Sequence, residues 1–109
     1  MNKDNTIYLK LILDSIKKIR AYTKDFDFKK FQKDSKTQSA VLMQFQIIGE
    51  LSKKIDLQTK GRIDLPWKQI AGFRDMISHD YFSLDISFAW ETIQTDLKEM
   101  STKIKNYLK

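Results

Sequence analysis

The sequence predicts an all-α protein, an up-and-down bundle of four to five helices. Two observations carry this prediction. Apolar residues recur at spacings of three and four along most of the chain, which is the period of an amphipathic helix. No segment alternates apolar and polar residues for long enough to form a strand. With 109 residues, the chain is expected to form a single domain over residues 1–109.

The first half of the chain contains two predicted long helices. One covers about residues 4–23, and a short segment with three Phe residues follows it. Ser35 and Gln38 are the ends of a capping box, which opens the second long helix. This helix should stop before Gly61. The stripe residues are Leu9, Ile12, Ile16 and Ile19 in the first helix and Val41, Phe45, Ile48 and Ile55, widened by Ala40, Ile47 and Leu51, in the second.

The second half begins with an expected loop over residues 58–65. Pro66 suits the first turn of a short helix that carries Trp67 and Phe73. The last helix has the clearest period of all. Its stripe residues are Ile86, Trp90, Ile93, Leu97, Met100, Ile104 and Leu108. Trp67, Trp90 and the Phe residues are expected in the core, because stripe positions bury aromatic residues far more often than they display them.

The apolar stripes of the second long helix and of the last helix are wider than a single-chain core needs. A homodimer formed through a helix face would bury the surplus apolar surface. We therefore expect a homodimer.

Several classes of site are excluded by composition. The chain has no Cys, so it has no disulfide framework and no thiolate zinc site. A single His excludes a metal centre built from several His, and three dispersed Gly form no phosphate-binding loop. The sequence thus predicts no metal and no cofactor. The N-terminus does not resemble a signal peptide and no 18-residue apolar stretch exists, so we expect a cytoplasmic protein without a membrane span.

The net charge of +6 is unevenly distributed. Residues 1–36 contain ten Lys or Arg against five Asp or Glu, and a second basic cluster lies at the C-terminus. Basic surfaces attract nucleic acid because they neutralise phosphates and release counterions. Lys-rich faces are also common as plain solvated surface. The C-terminal cluster consists of Lys98, Lys103, Lys105 and Lys109.

The stretch from Arg74 to Tyr81 holds the chain's single His, His79. On an unbroken helix, Arg74 and His79 would point about 140° apart, because five residues exceed one turn of 3.6. We therefore expect the helix to end or bend near Ser78, so that both side chains face one site. Asp75 lies four residues before His79, and its carboxylate could accept a hydrogen bond from the imidazole and set its tautomer.

An Arg, a His and a Tyr are sufficient for RNA cleavage without a metal. The guanidinium fits a phosphate, and the imidazole can take or give a proton at cellular pH. The 2′-oxygen attacks the neighbouring phosphorus, an acid protonates the leaving 5′-oxygen, and a cation stabilises the charged phosphorus centre. One His in each of two subunits could fill the two proton-transfer roles. Purely structural roles stay open: His79 as a helix cap or surface residue, and Arg74 as the partner of an acid.

The pattern Arg74-x4-His79-x-Tyr81 on an all-α chain of this length resembles the HEPN superfamily and, more closely, the HepT-like toxins of HepT/MntA toxin–antitoxin modules. The resemblance covers almost the whole chain. It includes LILDSI at residues 11–16, IIGE at residues 47–50, LPWKQIAGFRD at residues 65–75 and HDYF at residues 79–82.

The resemblance implies a homodimeric helical bundle in which two copies of the motif face a cleft at the dimer interface. It implies that Arg74 and His79 are the catalytic residues of a metal-independent endoribonuclease that leaves a 2′,3′-cyclic phosphate. It also implies a type VII toxin–antitoxin module, in which an MntA-like nucleotidyltransferase attaches AMP to Tyr81 and thereby silences the toxin. The added AMP would place negative charge where the RNA phosphate binds.

Two positions depart from the family pattern: Asp75 stands where relatives often have Asn, and Gln44 where many have Asn. Glu50 is a candidate supporting partner of Arg74, or else a plain surface residue. Two other functions stay open. The protein could be a non-catalytic binding and regulatory partner of a nucleotidyltransferase, or a nucleic-acid-binding bundle that uses only its Lys-rich faces.

Overall fold

The computed structural model describes residues 3–109, and all regular structure in this range is helical. The predicted all-α bundle is therefore confirmed. The elements are α1 (Lys3–Tyr22), α2 (Phe28–Lys33), α3 (Ser35–Lys54), α4 (Leu57–Arg62), α5 (Trp67–His79), a 3₁₀ turn (Tyr81–Ser83) and α6 (Ile86–Leu108). The three long helices α1, α3 and α6 match the predicted ones, because each has a long apolar stripe to bury.

Helix α3 is the centre of the bundle. It packs along α1 on one side and along α5 on the other, while α6 packs against α1 and α2. Most of the predicted stripe residues, Leu9, Val41 and Leu97 among them, lie in the core, whereas Ile47 is exposed. The core also contains residues outside the predicted stripes, such as Leu42 and Ile77. Trp67 and Trp90 are partly buried against this core.

The expected loop over residues 58–65 is wrong, because residues 57–62 form α4, and the described residues contain six α-helices rather than four to five. The Asp56 carboxylate caps α4 by accepting a hydrogen bond from the Thr59 backbone N–H at 2.8 Å. The Asn5 side-chain amide, from α1, donates to Asp56 at 2.7 Å and to Thr59 at 3.2 Å. A six-residue helix whose only large apolar side chain is Leu57 shows no apolar period, so the sequence pattern could not indicate it.

The predicted capping box at the start of α3 is also corrected. The cap is Asp34, whose carboxylate accepts from the Thr37 N–H at 2.9 Å. The Gln38 amide turns away from Ser35 and donates to the backbone carbonyl of Phe31 at 2.8 Å. Asp accepts this type of hydrogen bond at least as well as Ser, and it stands one residue earlier in the chain.

Candidate functional site

Helices α3 and α5 lie in close contact at Gly49. A Cβ atom added to Gly49 would overlap the Cβ atom of Arg74 and lie 2.8 Å from its Cγ atom. The neighbouring Phe73 anchors α5 further, because its ring contacts Phe45 of α3 at 4.8 Å and Phe88 of α6 at 5.2 Å between centroids. The stem of Arg74 is therefore held in a fixed position between two helices.

The Arg74 guanidinium is held by two carboxylates. Its two terminal nitrogens lie 3.3 Å from the Glu50 carboxylate on α3 and 3.3 Å from the Asp75 carboxylate on α5. The side chain is 30% exposed, and its Nε atom is buried without a hydrogen-bond partner in residues 3–109. Arg has five N–H donors, so this clamp orients the guanidinium and leaves terminal N–H groups for a ligand.

Asp75 pairs with Lys53 of α3 rather than with His79. The Lys53 ammonium donates to the Asp75 carboxylate at 2.8 Å, and this bond lowers the pKa of Asp75, with Arg74 contributing further. The predicted hydrogen bond from His79 to Asp75 is absent from the described part of the chain. A permanently charged ammonium is a stronger partner for a carboxylate than an imidazole four residues away on the same helix.

His79 is the last residue of α5, and its side chain is exposed without a hydrogen bond or ion pair to any of residues 3–109. The helix ends there because the Asp80 backbone N–H donates to the Met76 carbonyl at 2.9 Å and the chain then turns. Helix α5 therefore ends at His79, one residue after the position near Ser78 where we expected it to end or bend. Because α5 is unbroken between Arg74 and His79, their side chains leave the helix about 140° apart.

Tyr81 lies in the 3₁₀ turn that follows α5 and is 42% exposed. Its hydroxyl is 3.3 Å from the Ser39 hydroxyl at the start of α3, and its ring contacts Phe82 edge to face at 5.7 Å. Phe82 is fully exposed, contrary to the expectation that the aromatic residues lie in the core. Phe82 thus leaves an apolar ring in water directly after Tyr81.

The structure thus brings Glu50, Arg74 and Asp75 together. His79 and Tyr81 make no hydrogen bond or ion pair with these three charged groups. Sequence reasoning missed Lys53 and Gly49. A single Gly inside an otherwise regular helix is a usable signal of a close helix approach. No such signal was available for Lys53, because the pairing depends on how α3 packs on α5.

Within residues 3–109, no group of three or more acidic or imidazole side chains is arranged to hold a metal ion. Over the same range, no helix combines the length and the apolar character that a membrane span requires.

These features define a helical bundle that carries an Arg-x4-His-x-Tyr motif at the end of one helix. The chain belongs to the ribonuclease HepT-like family, whose model matches residues 12–107. It is therefore a member of a family of RNA-cleaving enzymes.

Several relatives are similar over nearly the whole chain. A Thermococcus cleftensis protein named "Probable ribonuclease HepT" is 34% identical over 110 residues, which cover all of both chains. A Caldanaerobacter subterraneus subsp. tengcongensis protein named "Putative RNase" is 32% identical over 102 residues, which cover 93% of this chain and 91% of that protein.

A Methanocaldococcus jannaschii protein is named as a "Gamma-glutamylcyclotransferase and putative RNase", and it is 35% identical over 105 residues. These residues are 95% of this chain but only 47% of that protein, so the chain spans about half of its length. No solved structure matches the chain.

Proposed function

We propose that this protein is a metal-independent endoribonuclease in which Arg74 binds and stabilises the scissile phosphate and His79 transfers the proton. The 2′-hydroxyl of the RNA gives its proton to the His79 imidazole, and its oxygen forms a bond to the adjacent phosphorus. The bond from phosphorus to the 5′-oxygen breaks, and the His79 imidazolium returns the proton to that oxygen. The products are a 2′,3′-cyclic phosphate and a 5′-hydroxyl.

The orientation of Arg74 is the observation that carries this proposal. Its stem is fixed against Gly49, and Glu50 and Asp75 hold its terminal nitrogens from one side, while nearly a third of the side chain remains exposed. A fixed guanidinium with free N–H donors is suited to a phosphate that gains charge during the reaction.

The geometry of α5 further supports a site shared between two copies of the chain. Arg74 and His79 diverge by about 140°, so one phosphate is reached more readily by the Arg74 of one copy and the His79 of another. Apolar residues around the motif are exposed and suit a contact between copies. They are Met43, Ile47, Met76 and Phe82.

The shared site is tested by mixing two inactive variants. In a mixed dimer of Arg74→Ala and His79→Ala chains, one composite site keeps both groups and the other has neither. Half of the dimers in an equal mixture are mixed, and each mixed dimer has one intact site out of two. Activity should therefore return to about a quarter of the wild-type value. A mixture that stays inactive, although light scattering shows dimers and subunit exchange, would contradict the shared site.

We also propose that Tyr81 is the site at which a cognate MntA-like nucleotidyltransferase attaches AMP, as in a type VII toxin–antitoxin module. The Tyr81 ring is exposed, and its hydroxyl has only the long contact to Ser39 at 3.3 Å, so it is available to a transferase. The AMP group would add negative charge two residues after His79 and repel an RNA phosphate.

The central experiment is incubation of the protein with RNA in EDTA, followed by analysis of the RNA ends. Cleavage that leaves 2′,3′-cyclic phosphate is expected, and His79→Ala should abolish it. Ser78→Ala is the control, because Ser78 is an exposed neighbour of His79 at one of the unspecified positions of the motif. A requirement for Mg²⁺, or products with a 3′-hydroxyl, would count against the mechanism.

One observation favours a second function, that of a non-catalytic regulatory partner of a nucleotidyltransferase. The charges of Arg74 and Lys53 are matched by those of Glu50 and Asp75, which leaves this cluster neutral. In that case no RNA is cleaved under any condition, while the transferase still binds the chain and modifies Tyr81.

A further inference from the structure

An open groove runs between α1 and α6, away from the motif. Its cationic lining is Lys17 and Arg20 from α1 and Lys105 from α6. The groove joins the two basic segments that are far apart in sequence, the N-terminal excess of Lys and Arg and the C-terminal Lys cluster.

The three cations of this groove have no partner within the described residues 3–109. None of them has a carboxylate within 4 Å or a hydrogen bond, whereas Lys53, Arg74 and Lys103 are all paired. The groove contains one carboxylate, Asp14, so three positive charges and one negative charge leave a net charge of +2. Unpaired cations that converge on one groove attract an anionic ligand.

The Ser101 hydroxyl supports the same conclusion. Ser101 lines the groove, and its hydroxyl makes no hydrogen bond within the part of the chain that the structure describes. Its oxygen is not among the fully buried polar atoms, so it is accessible from the groove. The hydroxyl is therefore free to donate a hydrogen bond to an anionic oxygen bound there.

One apolar side chain, Leu13, is partly exposed in the groove beside the cations, and Ile16 behind it is buried in the core. A nucleotide combines an anionic phosphate with an apolar base face, and this lining offers a partner to each. Single-stranded nucleic acid typically binds in grooves that join positive charge with surfaces for the bases.

The groove also lies apart from the proposed cleavage site. Helix α3 packs between α1 and α5, and α6 packs on α1. The seam between α1 and α6 is therefore distinct from the seam between α3 and α5 that holds Arg74. A ligand in the groove does not contact the motif of the same chain.

We propose that this groove binds the phosphate backbone of single-stranded RNA and holds the substrate on the enzyme outside the cleavage site. The proposal rests on RNA being the substrate, as argued for the proposed function. Lys17, Arg20 and Lys105 neutralise successive phosphates, Ser101 donates to a phosphate oxygen, and one base face lies on Leu13.

The test measures RNA binding separately from cleavage. A fluorescent oligouridine of about 12 nucleotides is titrated into His79→Ala protein, and its anisotropy is recorded over a range of salt concentrations. The groove variant is Lys17→Gln/Lys105→Gln. The control is Lys18→Gln/Lys29→Gln, which makes the same change of charge at exposed residues outside the groove.

The groove variant should raise the Kd about tenfold at low salt and reduce the slope of log K against log salt by about 1.4, since each lost phosphate contact removes about 0.7. The control should change the Kd less than about twofold. Ser101→Ala should weaken binding with the slope unchanged, because it removes no charge. Matching melting curves by circular dichroism establish that each variant is folded.

Equal losses of affinity in the groove variant and the control would overturn the proposal, because net charge alone would then explain binding. The result is independent of catalysis. If the wild-type protein cuts no RNA, but the groove variant binds RNA more weakly than the control does, the proposed nuclease function fails and the groove proposal stands. If it cuts RNA and the groove variant binds like the control, only the groove proposal fails.

Discussion

Gly49 of α3 lies against the side-chain stem of Arg74 of α5, with no room for a Cβ atom between them. This close approach also brings Glu50, the next residue of α3, to 3.3 Å from the Arg74 guanidinium. One residue without a side chain thus sets both the spacing of two helices and the orientation of the proposed phosphate-binding group.

The first prediction concerns Gly49→Ala. The new methyl group must push α5 away from α3, and overpacking of this kind lowers the free energy of unfolding by about 1–3 kcal/mol. RNA cleavage should fall as Arg74 is displaced. Gly72→Ala is the matched control, because Gly72 is also helical and no atom lies within 4 Å of its added Cβ. That control should be stabilised by up to about 1 kcal/mol. Equal stability of the two variants in urea unfolding would refute the role of the close approach.

The second prediction concerns Asp75→Asn, which removes a negative charge 3.3 Å from Arg74 and releases Lys53 from its ion pair. The site becomes more positive, so RNA should bind more tightly, and the salt slope of binding should increase by about 0.7 for one added phosphate contact. Binding is measured in the His79→Ala background. An unchanged salt slope would show that the negative charge of Asp75 does not weaken the binding of an RNA phosphate.

The third prediction concerns pH. The Lys53 hydrogen bond lowers the pKa of Asp75 below its ordinary value of 3.8. A group whose pKa is lowered by folding stabilises the protein above its unfolded pKa, and this contribution is lost only as pH falls through the folded pKa. Asp75 therefore stays ionised between about pH 5 and 8, where a His titrates. The pH profile of cleavage should have the same midpoint in wild type and in Asp75→Asn. A midpoint in this window that vanishes in Asp75→Asn would assign the titration to Asp75 instead.

The fourth prediction concerns Tyr81→Phe. The hydroxyl makes only an exposed contact with Ser39, so its removal should change the melting temperature by no more than about 2 °C. Incorporation of AMP by a co-expressed nucleotidyltransferase, read by mass spectrometry of the intact protein, should be lost. Ser39→Ala removes the same contact and should keep AMP incorporation. Continued modification of Tyr81→Phe would place AMP on another residue.

The fifth prediction concerns Asn5→Ala, which tests the attachment of α4. Asn5 is almost fully buried, and it donates to Asp56 and Thr59 and accepts from the Asp56 backbone N–H at 3.2 Å. Its loss removes all three hydrogen bonds and leaves the buried Thr59 hydroxyl without this donor, so the free energy of unfolding should fall by about 2 kcal/mol. Asn106→Ala, at an exposed position, should change it by less than about 0.5 kcal/mol. Similar effects of both substitutions would show that this hydrogen-bond network contributes little.

The long helices were predictable because their apolar stripes are local patterns that repeat over five or more turns. The stripe of α6, from Ile86 to Leu108, coincides with the observed helix. Helix α4 was not predictable in this way, because six residues with a single large apolar side chain are too few to show a period. The start of the helix is held by a hydrogen bond from a residue 51 positions away. The exposure of Phe82 was missed for a related reason, since a side chain in a short turn has no helix stripe to bury it.

By itself, the amino-acid sequence determined the helical class of this protein, the extent of its long helices and the presence of the Arg74-x4-His79-x-Tyr81 motif. All of these depend on residues within a few turns of one another. Only the tertiary structure decided that Asp75 pairs with Lys53, that Gly49 fixes the stem of Arg74, and that two distant basic segments line one groove. Those outcomes depend on which helix faces pack together. The packing is determined by the apolar area that the whole bundle buries rather than by any local segment.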